Sequence, residues 1–167
     1  MTKSKHFITS PTNPYHLSIG AVLMNDQGQI ACHYFEHYHT KDGDLDDLYI
    51  LMRESLEDNE TIEECLARGL QEEFGAQGEL ERFLGTIVSH FTSVHGNRVE
   101  KTTLYFLVHC TTFDTTRRHA DDPESHSLIK WLKPADLITR MTDQSTRYAE
   151  RSDLNEATIL ARIDETK

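Results

Sequence analysis

Hydrophobic positions gather first in two strand-like runs, "HLSIGAVLM" at 16–24 and "QIACHYFEHY" at 29–38, with the turn-suited "NDQG" between them. That arrangement predicts a hairpin. "HTKDGDLDD" at 39–47 is polar and acidic and reads as a surface loop. It lacks the twelve-residue spacing of a calcium loop. Thr61 with Glu64 three residues later is a capping-box pair, and Gly75 suits the position just past a helix end, so a helix is expected over about 61–74. Ile62, Cys65, Leu66, Gly69 and Leu70 form its apolar or small stripe, while Glu63, Glu64, Gln71 and Glu72 lie elsewhere around it. Longer strands follow at 79–91 and 100–110, then a loop "TTRRHADDPESHS", a short strand "LIKWL", a helix over 134–142 opened by Pro134, and a terminal helix from about residue 150. The order favours a mixed sheet sandwiched by helices over a regular βαβ winding.

The 167 residues, 37% of them hydrophobic, suffice for one well-packed core. The expectation is a short lead-in over 1–15 and a single domain over 16–167. No apolar run approaches the roughly 20 residues that span a bilayer, and the N-terminus lacks the apolar core of a signal peptide. Cys32, Cys65 and Cys110 are widely separated and form no CxxC pair, which points to the cytoplasm. A net charge of −11 opposes binding to nucleic acid duplexes, whose affinity rests on lysine and arginine. A small phosphorylated ligand remains compatible, since a carboxylate-bound divalent cation reverses the local field.

At about 100° per residue, positions 69, 72 and 73 cluster on one side of the helix, so Glu72 and Glu73 are expected to face a common ligand. Arg68 stands four residues from both Glu64 and Glu72 and can bridge them. His33, His37 and His39 share a strand face by the period of two and read as a polar face beside a pocket, because no carboxylate or cysteine completes a closed metal site. "TRRH" at 116–119 reads as a solvated loop, with phosphate contact by its arginines as the alternative.

Residues 54–76, "ESLEDNETIEECLARGLQEEFGA", resemble the Nudix box. The family pattern is a glycine, five residues, glutamate, seven residues, then arginine, glutamate, an aliphatic, any residue, two glutamates, any residue, glycine and an aliphatic. Glu60, Arg68, Leu70, Glu72, Glu73 and Gly75 fall in register with it, and Ala76 is a small stand-in at the end. The order of elements over roughly 16–142 is similar to the Nudix α/β/α sandwich with its mixed sheet. The resemblance implies a pyrophosphohydrolase that cleaves a diphosphate linkage in a nucleoside diphosphate derivative, aided by Mg2+ or Mn2+. Its site residues would be Glu60, Arg68, Glu72 and Glu73, with Glu72, Glu73 and Glu57 as metal ligands. A further acid or base from a loop outside the box is assigned to Glu124, in competition with Asp121, Asp122 and His126. The expected partner is a small nucleotide or other diphosphate, with no membrane and with a homodimer left open.

Two departures stand out. Arg53 and Glu54 replace the glycines that open the box, and Gly69 replaces the glutamate that follows the arginine, which in the family is usually a direct metal ligand. These departures keep a second reading open, a catalytically weak or inactive Nudix-fold module that binds a nucleotide. On the missing-ligand view, Gly69→Glu restores a third acid and improves the helix by roughly 0.5–1 kcal/mol. On the packing view, Gly69 is small because another element passes close by.

Overall fold

In the computed structural model, which describes residues 7–8, 15–40, 43–92, 96 and 98–164, the strands join in one mixed sheet. Their order of appearance is β1 (Phe7–Ile8), β2 (Tyr15–Met24), β3 (Ile30–Thr40), β4 (Gly43–Ile50), β5 (Met52–Ser55), β6 (Ala76–Thr92), β7 (Arg98–Phe113) and β8 (Leu128–Leu132). The main path runs β4-β3-β2-β7-β6; β5 and β1 pair with β2, and β8 pairs with β3. Among the described strands only β2 and β7 run parallel, in register from Tyr15↔Glu100 to Met24↔His109. The mixed sheet is thus an antiparallel hairpin, β2-β3, laid against a second hairpin, β6-β7. Of the expected lead-in 1–15, Phe7–Ile8 pairs with β2, Tyr15 opens β2, and the rest lies outside the described residues.

Period-two alternation in the two central strands splits the core. Ile19, Ala21 and Leu23 of β2, with Phe106 and Val108 of β7, face helix α1 (Ile62–Gly69) and pack on Cys65, Leu66, Leu70 and Phe74. Val22 of β2, with Tyr105 and Leu107 of β7, faces the other way, onto Leu137 and Met141 of α2 (Pro134–Arg147) and Ile159 and Leu160 of α3 (Ala157–Leu160). Both faces of these strands are covered, and the result is an α/β/α sandwich. No helix among the described residues is long and apolar enough to cross a membrane.

Several expectations are corrected. The acidic segment from residue 43 onward is not a loop but strand β4, paired with β3 from His33↔Ile50 to Thr40↔Gly43, because Leu45, Leu48 and Ile50 bury against Phe35 while the aspartates stay at the surface. Ile62 is 36% exposed and stays off the helix's buried stripe. The expected terminal helix is replaced by a short 3-10 turn (Ser152–Leu154) and the single turn α3. Two short turns aim Leu154, Glu156, Ala157, Ile159 and Leu160 inward together, which one straight helix could not do at that spacing.

Glu156 anchors this C-terminal segment. It is fully buried, accepts hydrogen bonds from the Tyr105 hydroxyl and from the Leu51 backbone N–H at 2.8 Å, and lies 3.6 Å from Arg53 Nε. Burial raises its carboxyl's pKa, and Arg53 opposes the rise. Removing one partner of such a buried pair strands the other, at a cost of roughly 3–5 kcal/mol. Glu156→Ala should therefore lower unfolding stability by about that amount in urea titration, whereas loss of an exposed acid such as Glu150 should change it by under about 0.5 kcal/mol.

Candidate active site

The cap of α1 decides which acids remain available. The Thr61 hydroxyl accepts from the Glu64 backbone N–H at 3.2 Å, and Glu64 accepts from the Thr61 N–H at 2.8 Å. Glu64 is therefore committed to the capping box and does not meet Arg68 as expected. Arg68 turns instead to acids that precede the helix. Its Nε and Nη2 form a fork on Glu60 at 2.8 and 2.9 Å, Nη2 also reaches the Ser55 carbonyl at 2.8 Å, and Nη1 lies 3.0 Å from Glu54 and 3.7 Å from Glu72. One guanidinium thus ties β5, the β5-α1 connection and the helix together.

Gly69 lies where α1 crosses β5. A Cβ built there would stand 2.7 Å from Glu54 Cβ and 2.8 Å from Met52 Sδ. Position 69 is small because β5 passes beneath it, and Gly69→Glu in the otherwise unchanged chain would force side chain against side chain. The packing view of this glycine holds.

After Gly69 the helix widens into a π turn, Leu70–Phe74, closed by Gly75 in the left-handed region at φ 64°. A Cβ at Gly75 would lie 2.1 Å from the Asp114 carbonyl oxygen, so both conformation and space require glycine there. Within this turn the neighbouring glutamates part company. Glu72 faces the cleft beside Arg68, while Glu73, 2% exposed, points inward to His33. Its carboxyl lies 2.7 Å from His33 Nε2, and His33 Nδ1 lies 2.7 Å from the Ser127 hydroxyl. Burial pushes His33 down to about 3 and Glu73 well above the usual carboxyl range, so the site disfavours the charged form of both partners. The three histidines of β3 do not form one polar face: His33 is buried, and His37 and His39 are exposed on Asp46 and Asp44.

The loop before β8 completes the cleft. Arg118 donates from Nε to the Glu73 carbonyl, and from its Nη atoms to the Glu124 and Ser127 carbonyls and the Ser127 hydroxyl, at 2.6–2.9 Å. Arg118 is thus a loop clamp and not a solvated cation. So held, the loop brings Asp122 to Glu54 and Glu72, and one carboxylate oxygen from each lies within 4.8 Å of the others. Glu124, whose N–H donates to Asp122 at 2.9 Å, sits next to them, and burial followed by the Asp122 carboxyl pushes it up to about 7. Lys101 of β7 lines the same cleft of about 490 Å3, its pKa lowered to about 8 by burial and then by Arg53. A cavity of about 220 Å3 adjoins; Arg53, Glu73, Lys101 and Glu124 line both.

The residues expected from the sequence are therefore distributed as follows. Glu72 and Glu124 face the cleft, Glu60 holds Arg68, Glu73 is paired with His33, and Glu57 lines the cleft outside the carboxylate triad. Asp121 and His126 are exposed. Glu54 and Lys101 are not singled out as site residues by the sequence, and Arg118 enters only through the alternative that the TRRH arginines contact phosphate. For Glu54 a signal existed, a glutamate at one missing glycine and a glycine at one missing glutamate. Hard oxygen donors from three separate elements suit a Mg2+ or Mn2+ ion, which leaves further positions for water and phosphate.

The family model for the NUDIX domain matches residues 14–151. No curated protein matches the chain in sequence. Among solved structures, a NUDIX hydrolase from Nitrosomonas europaea is similar at 16% identity, covering 91% of this chain and 95% of that one with a TM-score of 0.53. The solution structure of the E. coli ORF135 protein is similar at 16% identity, 81% and 92% coverage and a TM-score of 0.51. A MutT NUDIX hydrolase from Burkholderia pseudomallei matches at 20% identity, 72% and 84% coverage and a TM-score of 0.50. At these identities the likeness is one of fold.

The His33–Glu73 pair gives a direct test of the site's electrostatics. With a folded pKa near 3, below the ordinary 6.5, His33 stays neutral at every pH above that value. In metal-free protein its ring nitrogen resonances should stay flat between about pH 8 and pH 5, while His37, raised by its bond to Asp46, titrates above the ordinary value. Protonation of His33 within that range would show that the pair is ionic.

Proposed function

The chain belongs to the NUDIX family, and from that premise we propose that it is a hydrolase acting on phosphoanhydride bonds, one that cleaves the diphosphate linkage of a nucleoside diphosphate derivative with Mg2+ or Mn2+ at the cleft. The observation that carries this reading is the convergence of carboxylates from β5, the π turn and the 119–127 loop beside Glu124 and Lys101. A divalent ion held by such oxygens would screen the phosphate charges and make water a better nucleophile.

The chain's own residues divide the remaining work. Arg68, locked on Glu60 and Ser55, fixes the direction in which the Glu54 and Glu72 carboxylates point. Glu124, backed by the Arg118 clamp, takes the proton from the attacking water. Lys101 and Arg53 hold phosphate oxygens where the cleft meets the smaller cavity, and the leaving group or the nucleoside occupies that cavity. The paired Glu73 and His33 form the floor between the two spaces. Glu57, at the cleft's edge, is placed to meet a second ion or its waters. The three free cysteines support a cytoplasmic setting for this activity.

A panel of nucleoside diphosphate derivatives, incubated with Mg2+ or Mn2+ and assayed for phosphate products, tests the reading. Hydrolysis should require the metal and stop on chelation. Glu124→Gln should lower turnover of the best substrate by about 10²-fold or more, with an unchanged circular dichroism spectrum. A protein that binds nucleotides yet hydrolyses none of them would instead be the regulatory module.

A further inference from the structure

We propose that positions 54 and 69 have exchanged roles: Glu54 supplies from strand β5 the carboxylate that the box pattern carries on the helix at 69, and Gly69 is the gap that admits it. This rests on the metal-dependent reading above and says which of the chain's own residues build the ion's cage.

Two departures that each look like a loss become one substitution of geometry. Glu54 stands where the pattern has glycine and Gly69 stands where it has glutamate. In the fold these two positions face each other across the α1-β5 crossing, with only 2.7 Å between Glu54 Cβ and a Cβ built on residue 69. There is room for one side chain in that gap and not for two. The pleat of β5 sends Met52 and Glu54 toward α1 and Arg53 toward Glu156 on the opposite face, so a side chain at 54 has only the helix side to occupy. From there Glu54 reaches past the bare helix backbone at 69 to stand with Glu72 and Asp122. Its orientation is fixed at both oxygens. Oε1 accepts from the Ser55 N–H at 2.7 Å, and Oε2 lies 3.0 Å from Arg68 Nη1. With Glu54 gone, the atoms left closest to a Cβ at 69 are Met52 Sδ and Cε, the far end of a flexible side chain.

The competing account makes Glu54 a structural partner of Arg68 alone. A cycle of variants separates the two, read by free-Mn2+ electron paramagnetic resonance in the absence of substrate and by melting temperature. Glu54→Gln keeps size and one hydrogen-bonding oxygen but loses the charge. Since even outer-shell changes at metal sites cost 10- to 100-fold, it should weaken Mn2+ binding by at least about tenfold. Gly69→Glu alone should lower the melting temperature and bind Mn2+ no more tightly than wild type. The double variant E54G/G69E should recover both, with a melting temperature above that of Gly69→Glu and Mn2+ affinity within a few-fold of wild type. Wild-type affinity in Glu54→Gln, or a double variant no better than its two parents, would overturn the exchange while leaving the metal-dependent reading intact. A wild-type protein that takes up no Mn2+ would overturn that reading itself.

Discussion

Helix α1 meets strand β5 at Gly69, where the bare helix backbone rests on the Met52 and Glu54 side chains, and the arrangement of the site depends on that close approach. Because the helix backbone comes down to the level of the Glu54 side chain, Arg68 one residue earlier can reach Glu54, Glu60 and Ser55 at once. A bulkier residue at 69 would lift the helix off the strand, and the short fork distances of Arg68 would lengthen with it. The energetic cost of a glycine near the helix end, about 1 kcal/mol against alanine, is offset by this packing and by the apolar contacts of Cys65, Leu66 and Leu70 beneath it.

The four residues of β5 serve two layers of the sandwich in alternation. Met52 and Glu54 belong to the α1 side, and Arg53 between them belongs to the side closed by α2 and α3, where Glu156 meets it. The acidic cleft and the C-terminal anchor are thus built from neighbouring residues of one strand. Arg53 also lines both cavities, so the anchor that holds the C-terminal turns in place borders the space assigned to substrate. The charges there are managed by specific partners. Arg68 holds the acids of the cleft, Arg118 holds the loop through its carbonyls, and burial disfavours the charged form of Glu73 beside His33. Glu54, Glu72 and Asp122 bring three carboxylates together at the cleft, where a divalent cation can meet them.

Local chemistry was legible without coordinates. The Thr61–Glu64 capping box, the left-handed Gly75, the hairpin turn at "NDQG" and the strand "LIKWL" are set by interactions within a few residues, and each stands where its residues indicated. The register of Glu60, Arg68, Glu72 and Glu73 placed the site on this helix for the same reason, since spacing along a helix is a local quantity. The misjudged elements share a different cause. The acidic "GDLDDLYI" became a strand because β3 and the α2 side offered Leu45, Leu48 and Ile50 a surface to bury against, and the C-terminal residues broke into short turns because Glu156 had to reach Arg53 and Tyr105.

The sequence by itself determined the family, the sandwich, and the helix that carries the acids, because hydrophobic period, capping and motif spacing are all read along the chain. What only the tertiary structure decided is which acids meet. Glu54, Glu72 and Asp122 are separated by up to 68 positions and come together through a strand, a π turn and a loop clamped by Arg118. Whether Gly69 was a lost ligand or a needed gap depended on what lies 2.7 Å from a Cβ built on it, across the sheet-helix interface. Distances of that kind are fixed by packing between elements distant in sequence, and no pattern within one helix contains them.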